Sequence, residues 1–159
     1  MNKKFTKNKV VVITGGAKKI GRSTALKLAE QGFNILIHTG GKSANEAKTT
    51  VKLVKEFKVK AHYVMGDLAN TKTIKKIKIE AEKLGVPSIL INNAANDERH
   101  NIDDVTPEYW DDRMNINLKH YFFATQSVYK DMMKLGKGTI VNIGSFSWMK
   151  GQGGMPGYT

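Results

Sequence analysis

Five short apolar runs, each rich in valine and isoleucine, constrain the fold of this chain more than any other feature. None of them alternates strictly between polar and apolar residues. This pattern is typical of strands that are buried on both faces of a parallel sheet. The runs therefore predict five parallel strands, at Val10–Thr14, Asn34–His38, Ala61–Met65, Ser88–Ile91 and Gly138–Ile143.

The segments between these runs carry the periodicity of amphipathic helices. In two of them apolar residues recur at steps of three and four, which predicts one buried face for each helix. The predicted faces comprise Ile20, Thr24 and Leu28 before Gly32, and Ile74, Ile77, Ala81 and Leu84. A further helical region begins at the capping pair Thr106–Pro107 and extends, with at most one break, to Gly136.

Alternating strands and helices predict an α/β fold with a doubly wound parallel sheet and helices on both faces. The 159 residues suffice for a single domain, 1–159. Ligands of such sheets bind beyond the carboxyl ends of the strands, near the point where the strand order reverses. Each motif below follows the end of a predicted strand.

The net charge of +12 raises the question of a nucleic-acid partner. The basic residues are spread along the chain, and several are predicted on the solvent face of one helix: Lys72, Lys75, Lys76 and Lys78. We therefore favour a solvated lysine-rich surface and keep a nucleic-acid-binding protein as an alternative. There is no cysteine, and no apolar run approaches the roughly 20 residues of a membrane span, so we expect a cytoplasmic protein without membrane or metal partners.

The segment Thr14–Gly21 joins the first strand to a helix and contains Gly15, Gly16 and Gly21. Glycines permit a tight turn and let backbone N–H groups approach a pyrophosphate at the positive end of the helix. A purely structural turn uses the same residues, but the position after the first strand favours binding.

This loop resembles the Thr-Gly-x-x-x-Gly-x-Gly loop of the short-chain dehydrogenase/reductase family, whose fold is the Rossmann fold. Lys19 replaces the usual middle glycine, and pteridine reductases also have a basic residue there. Asp67-Leu68 resembles the family's adenine contact, although an aspartate there also suits a helix cap. Asn92-Asn93-Ala94-Ala95 resembles the family's Asn-Asn-Ala-Gly motif. The resemblance implies cofactor contacts from Thr14, Gly15, Gly16, Lys18, Lys19, Ile20, Gly21, Thr39, Lys42, Ser43, Asp67, Leu68, Asn93, Ala94 and Ala95.

The end of the second strand indicates which nicotinamide cofactor is bound. An NAD site places a carboxylate there for the ribose 2′-hydroxyl, whereas this chain has no acid before Glu46. Lys42 and Ser43 instead suit a 2′-phosphate, although they also suit a helix start. We therefore favour NADP(H) and keep NAD(H) as the alternative.

Hydride transfer at a carbonyl or alcohol needs an acid/base and a hydrogen-bond donor to the reacting oxygen. Tyr158 follows Ser145 by thirteen residues, which matches the spacing of the family's serine and tyrosine. The resemblance implies that Tyr158 is the acid/base and that Ser145 polarises the substrate oxygen, with Ser147 the poorer candidate. It also implies a water-mediated proton relay through Asn117, with Asn115 set aside.

The family's Tyr-x-x-x-Lys lysine would stand four positions after Tyr158, beyond Thr159. We therefore expect a fragment of a longer protein that lacks its last strands and substrate loop, and keep a truncated gene product as the alternative. The fifth strand would then be an open apolar edge, and the 159-residue chain would be inactive on its own.

The segment from Asn92 to His100, with Val105–Pro107 and Gly144–Trp148, resembles sugar 1-dehydrogenases, which oxidise aldoses to lactones. The first half of the chain is closer to pteridine reductases. We favour an aldose, with a pteridine or 3-oxoacyl-type carbonyl reductase as the alternative and a homo-oligomer as the assembly. Arg99 and His100 suit hydrogen bonds to sugar hydroxyls, packing against a neighbouring subunit, or a solvated surface. A non-catalytic dinucleotide-binding module is the alternative from another class.

Overall fold

The computed structural model describes residues 6–159 and contains a five-stranded parallel sheet with helices on both faces. The strands are β1 (Lys9–Ile13), β2 (Asn34–Thr39), β3 (Ala61–Met65), β4 (Val86–Asn92) and β5 (Thr139–Asn142). The helices are α1 (Lys19–Glu30), α2 (Ala44–Lys55), α3 (Thr71–Leu84), α4 (Pro107–Met114) and α5 (His120–Lys134). Short 3₁₀ turns cover Gly41–Ser43 and Ile102–Asp104, and a π-helical turn, Asn115–Lys119, joins α4 to α5. The five predicted strands and the doubly wound class are confirmed.

The strand order is β3-β2-β1-β4-β5, and every neighbouring pair is parallel. The chain runs outward from β1 through β2 to β3, and then returns to the other side of β1 with β4 and β5. The strand order therefore reverses between β1 and β4, which is where a sheet of this kind opens a ligand crevice.

Two apolar clusters cover the two faces of the sheet. Alternate residues of β1 divide between them: Val10 and Val12 pack with residues of α3 and α5, whereas Val11 and Ile13 pack with residues of α1 and α2. The face under α3 includes Ile74, Ile77 and Ala81, as their spacing predicts. Both faces of β1 are thus buried, which explains why its sequence lacks polar alternation.

The predicted buried face of α1 is wrong by one position. Ile20 is 64% exposed, and the buried residues are Gly21, Ala25 and Ala29. These small side chains allow the helix backbone to lie close to the sheet and to the glycine loop, whereas the larger Ile20 is left on the outside. The helix stops at Glu30, and Gly32 follows with the positive φ of 91° that its predicted role as a terminator requires.

The two outer strands are also less buried than their sequences predict. In β3 only Ala61 and Val64 are fully buried, and all four residues of β5 are exposed. Within the described residues each of these strands pairs on one side only, so a double-sided core does not form around it. The expected open apolar edge is present at β5, where Ile140 and Val141 are exposed.

The lysines predicted on the solvent face of α3 are exposed except Lys78, whose ammonium group pairs with Glu82 and Asp131. The helical region after Thr106 contains the single expected break, which is the π-helical turn. In residues 6–159 no helix has both the length and the apolar character needed to cross a membrane.

Candidate active site

Hydrogen bonds join the loops after β1 and β4 directly at the switch point. Thr14 Oγ1 accepts hydrogen bonds from the backbone N–H groups of Asn93 and Ala94, both at 3.0 Å. The Asn93 side-chain amide donates to the carbonyl oxygens of Thr14 and Gly15, each at 3.0 Å. The two loops therefore form one rigid rim, with the first strand's glycine loop held against the Asn-Asn segment.

The amino-terminal end of α1 is open to an anion. Lys18, the N-cap residue, provides no side-chain acceptor for the first amides, and the first turn contains no acidic residue. By contrast, Asn70 and Thr106 cap α3 and α4 with their own side chains. Unpaired N–H groups and the helix dipole make such an end a binding site for phosphate.

Two residues of this loop show how tightly its backbone is folded. A Cβ added at Gly21 would lie 2.3 Å from the Gly15 carbonyl oxygen and 2.8 Å from Gly16 Cα. Lys19 has a φ of 49°, a left-handed conformation that glycine adopts more easily. Lys19 therefore has a backbone conformation typical of glycine, while its side chain adds a positive charge beside the loop.

A cavity of about 450 Å³ lies beyond the ends of β2 and β3. The sequence-predicted residues among its lining are Lys42, Ser43, Asp67, Leu68, Ala94 and Ala95. Thr39 is buried outside the lining, and Lys18, Lys19 and Ile20 are exposed at the start of α1. Sequence reasoning missed His38 and Ile116, which also line this cavity.

Asp67 shapes a turn at this cavity. Its side chain accepts the backbone N–H of Ala69 at 2.9 Å, and its carbonyl accepts that of Asn70. The alternative that Asp67 caps α3 is wrong, because the cap is Asn70, whose side chain accepts from Lys72. An Asx turn of this kind holds the exposed carboxylate at the mouth of the cavity.

A second cavity, of about 260 Å³, contains the three residues predicted to be catalytic. Asn117, Ser145 and Tyr158 all line it, although they come from the π-helical turn, the loop after β5 and the last residues of the chain. Ala95 lines both this cavity and the first one. The two cavities therefore adjoin along the loop after β4, as one elongated ligand requires.

Ser145 and Ser147 form a hydroxyl pair. Their Oγ atoms lie 2.5 Å apart, and Ser145 Oγ also accepts the backbone N–H of Ser147 at 3.2 Å. When the Ser147 hydroxyl donates to Ser145, the proton of Ser145 is free for another acceptor in the cavity. The geometry therefore suits Ser145 as a donor that Ser147 supports.

The side chain of Asn117 is bonded twice to the backbone of Asn96. Its Oδ1 accepts the Asn96 N–H at 2.7 Å, and its Nδ2 donates to the Asn96 carbonyl at 3.1 Å. These bonds fix the π-helical turn against the loop after β4. Single π-helical turns within α-helices are frequent at functional sites.

Tyr121 lines the cavity of Tyr158 and was not singled out from the sequence. Its hydroxyl donates to the Ile143 carbonyl at 2.8 Å. Burial raises the pKa of Tyr121, and the nearby Tyr158 raises it further. Tyr121 follows Asn117 by four residues, about one helical turn, so both side chains lie on the same face. This spacing is the sequence signal that could have identified Tyr121.

Arg99 and His100 lie outside both cavities just described and contact the last segment of the chain. The Arg99 guanidinium donates to the Gly153 carbonyl at 3.2 Å. Both ring nitrogens of His100 have protein partners, Gly157 on one side and Glu98 and Tyr109 on the other. Among residues 6–159 there is no cluster of three or more metal-ligating side chains.

Two buried histidines, His38 and His120, lie beneath the loops of the site. His38 Nε2 donates to the Gly66 carbonyl at 2.9 Å, and His120 Nδ1 donates to the Ile116 carbonyl at 2.5 Å. The pKa of His120 is lowered to about 4, mainly by burial and to a smaller extent by the nearby His38, against the opposing effect of the Ile116 carbonyl. Burial likewise lowers the pKa of His38. Both rings are therefore neutral near pH 7.

Acidification should destabilise the fold through His120. Because its folded pKa lies below the unfolded value of about 6.5, the unfolded chain binds more protons as the pH falls from about 6.5 toward 4. We expect this residue to lower the unfolding free energy by about 2 kcal/mol between pH 7 and pH 5. Urea denaturation of the wild type and His120→Gln should show a flatter pH dependence in the variant. An unchanged slope in His120→Gln, with the exposed His62→Gln as control, would contradict this origin.

Comparison with known proteins places this chain in a family. The sequence profile of the family described as short chain dehydrogenase matches residues 9–159. The chain is 39% identical over 148 residues to a D-xylose 1-dehydrogenase of Caulobacter vibrioides, covering 91% of this chain and 56% of that protein. It is 31% identical over 152 residues to a 3-oxoacyl-[acyl-carrier-protein] reductase of Staphylococcus epidermidis, covering 95% of this chain and 62% of that protein.

The fold has solved counterparts as well. The crystal structure of NAD⁺-bound xylitol dehydrogenase superposes with a TM-score of 0.83 at 26% sequence identity, covering 96% of this chain and 59% of that chain. The chain thus spans less than two thirds of the length of each of these three relatives.

Proposed function

The chain belongs to the short-chain dehydrogenase family, and on that premise we propose that its complete gene product is a nicotinamide-dependent oxidoreductase acting on a carbonyl or alcohol. The observation that carries the proposal is the meeting of Ser145, Tyr158 and Asn117 in one cavity that adjoins the cavity beyond β2. A donor, a phenol and a polar turn beside an adjoining cavity are the parts that this chemistry needs.

The residues of the rim fit a dinucleotide. Gly21 packs so closely against the backbone of Gly15 and Gly16 that the tight loop needs a glycine there, and the uncapped end of α1 offers amides to a pyrophosphate. Lys18 and Lys19 add positive charge there, and Asp67 and Leu68 border the cavity where an adenine ring would lie. When bound, the nicotinamide supplies the site that accepts or gives up a hydride.

The side chains of the second cavity would handle the proton. Tyr158 exchanges it with the substrate oxygen, and Ser145 donates a hydrogen bond that fixes that oxygen in place. The pair with Ser147 supports Ser145 as donor. Asn117 fixes the π-helical turn and, through water held there, relays the proton toward solvent.

Our preference for NADP(H) over NAD(H) rests on Lys42 and Ser43, which line the cavity beyond β2 together with His38. No residue from His38 to Ser43 has a carboxylate side chain. An exposed ammonium group and a hydroxyl suit a 2′-phosphate. The similarity to an NAD⁺-bound xylitol dehydrogenase supports NAD(H) as the alternative cofactor.

Replacing Lys42 by alanine should separate the two cofactors. One charge-assisted phosphate contact is worth roughly 1.5–3 kcal/mol, so Lys42→Ala should weaken NADP binding about tenfold or more and leave NAD binding nearly unchanged. Calorimetric titration of both cofactors measures this, with the exposed Lys48→Ala on α2 as the matched control. Equal weakening of NADP and NAD would show that Lys42 does not contact the 2′-phosphate.

For the substrate we propose an aldose, oxidised at its first carbon to a lactone. The similarity to a D-xylose 1-dehydrogenase over 91% of the chain supports this choice. A carbonyl reductase acting on 3-oxoacyl or pteridine substrates is the second candidate, supported by the similarity to a 3-oxoacyl reductase. Values of kcat/KM for aldoses, ketones, 3-oxoacyl thioesters and pterins should rank an aldose first, and a higher value for another class would transfer the assignment to it.

We also propose that the complete protein is a homo-oligomer. Large apolar side chains are exposed along the π-helical turn and α5, at Leu118, Phe122 and Met133. Exposed apolar groups of this size favour a protein partner. Light scattering after size-exclusion chromatography should give a multiple of the chain mass, and a monomer would contradict this part of the proposal.

A further inference from the structure

His100, in the loop after β4, makes two hydrogen bonds to the segment that carries Tyr158. The backbone N–H of His100 donates to the Gly154 carbonyl at 2.9 Å. Its Nε2 accepts the backbone N–H of Gly157 at 3.0 Å, although the two residues are 57 positions apart. Gly157 is buried and directly precedes Tyr158.

The partners of His100 define the tautomer of its ring. A backbone N–H can only donate, so Nε2 must carry a lone pair toward Gly157. The ring proton then lies on Nδ1, which is 2.8 Å from the Glu98 carbonyl and 2.9 Å from the Tyr109 hydroxyl. Both nitrogens are therefore paired with protein groups in the neutral ring, and a protonated ring could not accept the Gly157 N–H.

The surroundings of Tyr109 hold this arrangement in place. The Tyr109 ring packs against the His100 ring, with centroids 4.7 Å apart. The guanidinium of Arg113 also contacts Tyr109 and lies 4.8 Å from the centroid of the Tyr109 ring. Arg113 is buried and pairs with Glu98 and Asp112. Arg113 also borders Gly157, where an added Cβ would lie 3.5 Å from Arg113 Cγ. The group is thus packed directly against the backbone that carries Tyr158.

We propose that His100 is a positioning residue, whose Nδ1-protonated ring holds the Gly157 amide and thereby sets the place of the Tyr158 hydroxyl beside Ser145. The inference rests on the proposed role of Tyr158 as acid/base. The sequence suggests that His100 donates a hydrogen bond directly to a sugar. In the present proposal His100 acts indirectly, through the backbone of Gly157. Loss of the Gly157 contact should therefore affect turnover and leave cofactor affinity intact.

Two variants separate the contact at Nε2 from the rest of the ring. The amide of His100→Gln reaches the position of Nε2 and can accept from Gly157, whereas that of His100→Asn reaches only the position of Nδ1. In the complete gene product we expect His100→Asn to lower kcat about tenfold, with NADP affinity within about twofold of the wild type. His100→Gln should recover most of the lost kcat, and the exposed His62→Asn is the matched control.

Two measurements do not depend on turnover. Hydrogen exchange at the Gly157 amide should accelerate in His100→Asn and stay slow in His100→Gln. In the wild type, ¹⁵N NMR of the His100 ring should show the proton on Nδ1. A proton on Nε2, equal kcat values for the Gln and Asn variants, or a rise in substrate KM without loss of kcat would overturn the inference. The separate Tyr158→Phe variant tests the proposed function itself. A failure of the proposed role of His100 can therefore be distinguished from a failure of the proposed role of Tyr158.

Discussion

Replacing Tyr158 by phenylalanine should collapse turnover by about 10²–10⁴-fold while leaving cofactor affinity almost unchanged. The substitution removes only the hydroxyl that we propose exchanges a proton with the substrate oxygen. Tyr158 lines the cavity of Ser145 and Asn117, and the predicted anion site at the start of α1 involves other residues. Steady-state kinetics and a cofactor titration on the complete gene product give both quantities.

The matched control is Tyr129→Phe, which removes a hydroxyl from a more exposed tyrosine of α5 that does not line the cavity. Ser145→Ala should also lower turnover, and Ser147→Ala should do so much less because it removes only the supporting partner. Near-normal activity of Tyr158→Phe on a substrate that the wild type oxidises would show that the acid/base is another group.

Adding one methyl group at Gly21 should abolish most of the cofactor affinity. The new Cβ would lie 2.3 Å from the Gly15 carbonyl oxygen, and backbone atoms cannot move aside as a flexible side chain can. The glycine loop must therefore shift, and its N–H groups lose their aim at the pyrophosphate. Two lost contacts to a charged group predict a weakening of roughly 100-fold or more.

Ser23→Ala is the control for Gly21→Ala, since it alters an exposed residue two positions along the same helix. Thermal unfolding without cofactor should be measured on both variants, so that a general loss of stability is separated from a local change in the loop. A folded Gly21→Ala protein that binds NADP within about threefold of the wild type would show that the pyrophosphate lies elsewhere.

The sheet could be predicted from the sequence because its signal is local. Runs such as Val10–Thr14 contain consecutive β-branched residues, and the observed strands begin and end within about two residues of the predicted ones. The phase of α1 was harder to predict, because Ile20 suggests an apolar face whereas the helix packs through Gly21 and Ala25. Hydrophobicity alone ranks isoleucine above glycine, but close approach to the sheet requires the smaller residue.

In the site, too, the features encoded by local sequence could be predicted, whereas contacts between distant residues could not. Thr14, Gly15 and Asn93 are contiguous with strand ends, so their place at the rim follows from the topology. The pairing of His100 with Gly157 joins residues 57 positions apart, and no local pattern encodes such a contact. The sequence therefore leaves His100 open as a donor to a sugar, a subunit contact or a solvated side chain, whereas the folded chain pairs both of its nitrogens.

The central claim is that the complete gene product transfers hydride between a nicotinamide and a carbonyl or alcohol, and isotope transfer tests it most directly. The enzyme would be incubated with NADP and an aldose deuterated at its first carbon, and the reduced cofactor would be analysed by mass spectrometry. The account predicts one deuterium in the cofactor for each lactone formed, at a rate lowered by Tyr158→Phe. Tight NADP binding without deuterium transfer, either from this aldose or from alcohols deuterated at the corresponding carbon, would contradict the proposed hydride transfer. That result would favour a non-catalytic dinucleotide-binding module.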